Sequence, residues 1–181
     1  MALRYAVLGL LSKEPLTGYD LAQKFQTNIS HFWNAHHTQI YRELQKLEKE
    51  ALVSYHLVEQ HDRPDKKVYS LTDDGLRELL GWMAEAPKPP SMKNENLLRV
   101  SLFHLIPSQQ AIQYLEASRE SHVQILEAMK KWGTQHLGSP ELPPSRDLIG
   151  ETLTLDFGMR FIQTWIDWCD QAIRMFRSLP E

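Results

Sequence analysis

Gln39, Arg42, Lys46 and Lys49 recur at spacings of three, four and three, so a helix through them sets all four along one side. Their chemistry complements a nucleic-acid duplex. Gln matches the adenine edge and Arg the guanine edge with paired hydrogen bonds, while Lys suits phosphate. A solvated helix face would carry the same residues, so the surrounding elements must decide between the readings. A second basic group, Arg63, Lys66 and Lys67, is partly offset by Asp62 and Asp65 and fits either a weak phosphate contact or a solvated loop.

Other chemistries find little support. His36 and His37 are adjacent, which on a helix turns them about 100° apart and prevents the joint metal grip of an i,i+4 pair. No Gly-rich phosphate loop and no nucleophile motif stands in a suitable context, so neither an enzyme, a metal nor a cofactor is expected. The 181 residues hold 20 Lys and Arg against 23 Asp and Glu, a net charge of −3. Nucleic-acid binding must therefore come from a local patch. Cys169 is the one cysteine and occupies an apolar helix position, where an inert buried thiol is expected. The early apolar run, residues 5–11, is too short to span a bilayer. A cytoplasmic protein without a membrane partner is the expectation.

The elements that would position the basic residues can be read from period and caps. Residues 2–12 form an apolar helical pattern ended by Pro15. Thr17-Gly18-Tyr19-Asp20 then supplies an N-cap with an acid three residues on, opening a second helix to about residue 28. Ile40, Leu44, Leu47 and Ala51 define the apolar face of a third helix, opposite the basic line. Residues 52–60 and 66–71 are rich in Val, Tyr and Leu and read as a hairpin with a charged tip. Thr72-Asp73-Asp74 caps a fourth helix to about residue 86. Three helices followed by a hairpin describe a winged helix-turn-helix, whose third helix enters the major groove.

Pro87-Lys88-Pro89-Pro90-Ser91 interrupts both helix and sheet and separates domains at residues 1–86 and 94–181. The second is nearly all helical: a short segment over 94–104, a helix from Pro107 to Trp132, a turn over 133–144 and a long last helix. In that last helix Leu148, Thr152, Leu155, Met159, Ile162, Ile166, Cys169, Ile173 and Phe176 alternate at four and three, the spacing of a packing seam. Ile149, Leu153, Phe157, Phe161, Trp165, Trp168 and Ala172 form a second apolar stripe. A preceding helix with Ala111, Leu115, Ile125, Met129 and Trp132 on one face covers only part of this, so a homodimer is expected, with Leu148, Leu155, Met159, Ile162, Ile166, Cys169 and Ile173 in its interface. The fold class is mainly α, a winged helix-turn-helix with a two-stranded wing plus a helical dimerisation domain.

Leu8-Gly9-Leu10-Leu11, Pro15-Leu16-Thr17-Gly18-Tyr19-Asp20-Leu21, Gln39-Ile40-Tyr41-Arg42-Glu43-Leu44-Gln45-Lys46-Leu47-Glu48 and Val68-Tyr69-Ser70-Leu71-Thr72-Asp73-Asp74-Gly75 resemble, in order, the motifs of the PadR family of transcriptional regulators. Asn96-Leu97-Leu98-Arg99-Val100 and Trp165-Ile166-Asp167-Trp168-Cys169 resemble more loosely the longer, virulence-activator type of tail in that family. Ala51 stands where the family commonly has glycine. The resemblance implies a dimeric repressor on double-stranded DNA with a dyad-symmetric operator, touching it through Tyr19, Thr38, Gln39, Tyr41, Arg42, Arg63, Lys66 and Lys67. Tyr19 and Tyr41 fit equally a core tyrosine with its hydroxyl at the edge. It also implies a small, flat aromatic effector, for which Trp165 and Trp168 are the candidate wall; ordinary core packing is the alternative. From another functional class, a winged-helix module that meets a protein through the Gln39, Arg42 and Lys46 face remains the competing expectation.

Overall fold

The structure is a computed structural model that describes residues 2–26, 35–59, 65–87, 93–137 and 144–179. Its contacts divide the chain into two compact units, residues 1–89 and 90–181.

The first unit begins with α1 (Ala2–Leu11), a two-residue strand β1 (Leu16–Thr17) and α2 (Gly18–Lys24). Thr17 caps α2 reciprocally: its Oγ1 accepts from the Asp20 N–H at 3.1 Å, and its own N–H donates to Asp20 Oδ2 at 3.2 Å, so two otherwise unpaired donors are satisfied. Helix α3 (His37–Lys49) buries Ile40, Leu44 and Leu47. It closes in a Schellman turn, with Leu52 N–H donating to Leu47 O at 2.9 Å and Ala51 N–H to Glu48 O at 3.1 Å. Ala51 occupies the left-handed position of that turn with φ 58°, which glycine takes at lower cost. Strands β2 (Val53–Val58) and β3 (Lys66–Leu71) pair antiparallel, Tyr55 opposite Tyr69.

The two strands of the expected wing are present and belong to a three-stranded sheet of order β1-β3-β2, because Leu16 and Thr17 also pair with Tyr69 and Val68. Two residues carry no period, so this strand leaves no pattern in the sequence. Helix α4 (Asp73–Met83) follows at once. The Thr72 hydroxyl lies 2.9 Å from the carbonyl oxygens of both Ala51 and Leu52, which share its one proton, and accepts from Gly75 N–H at 3.1 Å. A Cβ on Gly75 would overlap the Leu52 carbonyl oxygen, so only glycine lets α4 start against this corner. Val7, Leu8, Leu21, Phe25, Leu44, Leu47 and Tyr69 belong to the common core.

In the second unit α5 (Glu95–Ser101) and a 3-10 turn (Phe103–Leu105) precede α6 (Ser108–His136) and α7 (Ile149–Arg177). The long helices run antiparallel, tied by Arg119–Asp170 at 2.6 Å and Arg177–Glu116 at 2.8 Å. Helix α6 passes through Gly133, where a turn is expected, because the missing side chain admits Leu155: a Cβ there would come 2.7 Å from Leu155 Cδ2. Its buried face includes Ile112 and Leu126, while Ile125 is exposed. Leu126 follows Leu115 by eleven residues, close to three helical turns, and so keeps phase where Ile125 does not.

The seam of α7 faces inward on its own chain. Leu155, Ile166, Cys169 and Ile173 are buried within the chain, Met159 and Ile162 are half-buried, and Leu148 is the half-buried residue before the helix. The apolar surface left over belongs to the neighbouring stripe, where Ile149, Leu153, Phe157 and Phe161 are exposed, Phe157 to 68%.

Candidate nucleic-acid interface

The basic line on α3 is exposed throughout: Thr38, Gln39, Arg42, Lys46 and Lys49 all face solvent, opposite the buried Ile40, Leu44 and Leu47. Arg42 and Lys49 have no ion-pair partner among the described residues, and Lys46 lies 3.4 Å from Glu43 one turn earlier. Arg63 lies outside the described residues.

Gln39 departs from expectation. Its Oε1 accepts the His36 N–H at 3.0 Å, closing the first turn of α3. A backbone N–H can only donate, so one of the two lone pairs on Oε1 is taken by the helix and the amide is oriented toward the cap. Paired hydrogen bonding to adenine needs both edges of the amide aligned with the base; while the cap holds, the Nε2 donor is the group left to reach it. Histidine is not among the residues that usually announce a cap, which is why this contact has no signature in the sequence.

Beside α3 a cleft of about 700 Å³ is lined by Thr17, by Gly18, Tyr19 and Asp20 of α2, by Tyr41 and Gln45 of α3, and by Lys66, Lys67 and Tyr69 of β3. Gly18 makes this arrangement possible, because a Cβ there would overlap the Tyr41 ring. Tyr19 is 70% exposed and Tyr41 is exposed, so neither is a core residue. The buried tyrosine is Tyr69, whose ring sits 5.8 Å from that of Tyr55 across the strands; an alternating strand with a tyrosine on its inner face is the only trace of it in the sequence. Burial pushes the Tyr69 hydroxyl above the usual tyrosine range, so it stays a neutral donor.

Lys66 has no partner among the described residues. Lys67 reaches back to α3, 3.4 Å from both carboxylate oxygens of Glu48, and its ammonium lies 3.7 Å from the centre of the Tyr55 ring. Burial opposes the Lys67 charge, but Tyr69, Tyr55 and Glu48 outweigh it and raise the lysine above its ordinary value.

In the second unit Trp165 is 8% exposed. Its indole N–H donates to Ser118 Oγ at 3.1 Å, and its ring stacks on His122 at 5.1 Å. Trp168 is half-buried, 5.3 Å from Trp165 at an interplanar angle of 59°. Burial pushes the Cys169 thiol up, which keeps it protonated and unreactive.

A three-helix core with a paired wing and an exposed basic third helix, followed by a helical unit, defines a winged-helix protein. Comparison with known proteins narrows this. Residues 7–80 match the transcriptional regulator PadR-like family and residues 92–177 match the virulence activator alpha C-terminal family. The negative transcriptional regulator PadR of Bacillus subtilis is 30% identical over 175 residues, 96% of each chain. Its crystal structure in complex with operator DNA superposes with a TM-score of 0.85 at 29% identity, covering 97% of this chain and 99% of that one. The complex with p-coumaric acid gives 0.81 at 27% identity, over 98% of this chain and 100% of that one. The chain belongs to the PadR-like family; it is a transcriptional regulator and not an enzyme. Among the described residues no helix is long and apolar enough to cross a membrane.

Proposed function

We propose that the protein is a homodimeric repressor of double-stranded operators with dyad symmetry, working in the cytoplasm. Each subunit sets the first turns of α3 in the major groove, where Arg42 reads a base and Gln39 donates to one. Lys46, Lys49, Lys66, Lys67 and Arg63 meet phosphate, with Tyr19, Thr38 and Tyr41 at the flanking backbone. The observation that carries this reading is an exposed Arg42 with no ion-pair partner among the described residues, on a helix whose other face is buried. The operator complex of the Bacillus subtilis relative, a negative regulator, supports both the ligand and the direction. A salt titration tests it: affinity for duplex DNA should fall on the order of 10³-fold or more between about 50 and 200 mM salt. Binding that is absent or insensitive to salt would favour the protein-interaction module instead.

The second copy is proposed to cover Ile149, Leu153, Phe157 and Phe161, one exposed residue per turn of α7. Exposed apolar stripes of this length are uncommon on monomers, and two subunits place two recognition helices on successive half-sites. The p-coumaric acid complex of the relative supports an aromatic effector; here it would lie against Trp168, with Trp165 as the rear wall. Tryptophan fluorescence titrated with phenolic acids, with and without DNA, should give different affinities for the two forms.

A further inference from the structure

Lys67 is the wing cation that the fold already supplies with an anion, and the anion comes from α3. Its ammonium faces both oxygens of Glu48 at 3.4 Å. A charge-assisted bond runs about 2.7–2.9 Å, so the carboxylate attracts the ammonium without clamping it. Other features secure the position of Lys67. The Tyr55 face, 3.7 Å from the ammonium, holds a cation without bringing a negative charge. The backbone of Lys67 pairs with Leu57 of β2, and the next two residues, Val68 and Tyr69, are held by β1 as well. Glu48 is therefore not needed to place Lys67, yet it sets a full negative charge where a phosphate must arrive. Both side chains are partly exposed, 41% and 30%, so an incoming anion can displace the carboxylate. The other close pair on this face, Lys46 and Glu43, lies within a single helix; among the described residues Glu48–Lys67 is the one ion pair that joins the wing to α3.

We propose that Glu48 is a built-in competitor for the DNA phosphate that Lys67 contacts, setting the strength of the wing contact on any duplex sequence. The proposal rests on the reading of this face as a DNA interface. It is tested with the full-length protein and a random-sequence duplex of about 30 base pairs in a salt series. Glu48→Gln should tighten binding about two- to fivefold at low salt, the equivalent of a surface ion pair, and steepen the plot of log affinity against log salt by about one unit. Glu48→Ser should act in the same direction. In a Lys67→Gln background the gain should vanish. Weaker binding with a shallower slope in Glu48→Gln, as in Lys67→Gln itself, would make Glu48 a positioning residue and overturn the proposal. So would an unchanged affinity, or a gain that persists without Lys67. Wild-type protein that shows no salt-dependent binding would instead remove the DNA reading, and the competitor with it.

Discussion

The two units are held together by different means. In the first, backbone chemistry sets the geometry: a reciprocal cap at Thr17 and Asp20, a hydroxyl at Thr72 that joins two carbonyls to an N–H, and glycines at 18 and 75 where no Cβ fits. In the second, side chains of α6 and α7 set it, through Leu115, Trp165, Cys169 and Ile173 and ion pairs such as Arg119–Asp170. The first unit gathers Val7, Leu8, Leu21, Phe25, Leu44 and Leu47 in one core while leaving Leu76, Leu80 and Met83 of α4 exposed. The second leaves a stripe of α7 uncovered. A region that must present four or five polar atoms in fixed positions is built from directional contacts. The region proposed to meet a second copy offers non-directional apolar area instead.

Substitutions can break this contrast or sharpen it. The largest effect is expected of Gly75→Ala: backbone cannot yield as a side chain can, so a loss of about 3 kcal/mol or more should appear in thermal or urea unfolding. An unchanged midpoint would show that α4 does not depend on this close approach. Next, Phe157→Glu should leave helix content intact while weakening self-association by about 2–3 kcal/mol, the value of a buried aromatic side chain, as read by sedimentation over a concentration series. A monomeric wild type under the same conditions would leave the stripe without a partner copy. Arg42→Ala should cost about 1–3 kcal/mol on a selected operator and relax preference at one base pair per half-site; equal losses on random DNA would reassign Arg42 to phosphate. The smallest effect runs the other way. Ala51→Gly should raise stability by about 0.5–1 kcal/mol, because it relieves a left-handed alanine at some cost in chain entropy, and calorimetry should show the higher midpoint.

What could be read in the sequence follows the same division. Thr17 and Asp20 stand three apart, the one separation at which a cap is reciprocal, and the buried and basic faces of α3 follow from a single helical period. Contacts between elements have no such signature. Glu48 and Lys67 are nineteen residues apart, Gly18 and Tyr41 meet only after α2 and α3 pack, and β1 is too short to show alternation. The α7 seam was recognisable as a seam, but a period alone does not say whether the covering helix belongs to the same chain. Here α6 supplies it, which moves the surplus surface by one residue to the Ile149 stripe.

Strand β3 lies between β1 and β2 and is paired along both sides, to Leu16 and Thr17 on one and to Val53–Val58 on the other. In a simple hairpin the turn length fixes which residues face each other, and one inserted residue can invert every side chain. Here the β1 pairing holds Val68 and Tyr69 in register independently of the tip. A change of length between the strands would therefore leave Val68 and Tyr69, and the backbone next to Lys67, where β1 sets them. The fold thus lets the reach of the wing vary without resetting the inner positions of β3.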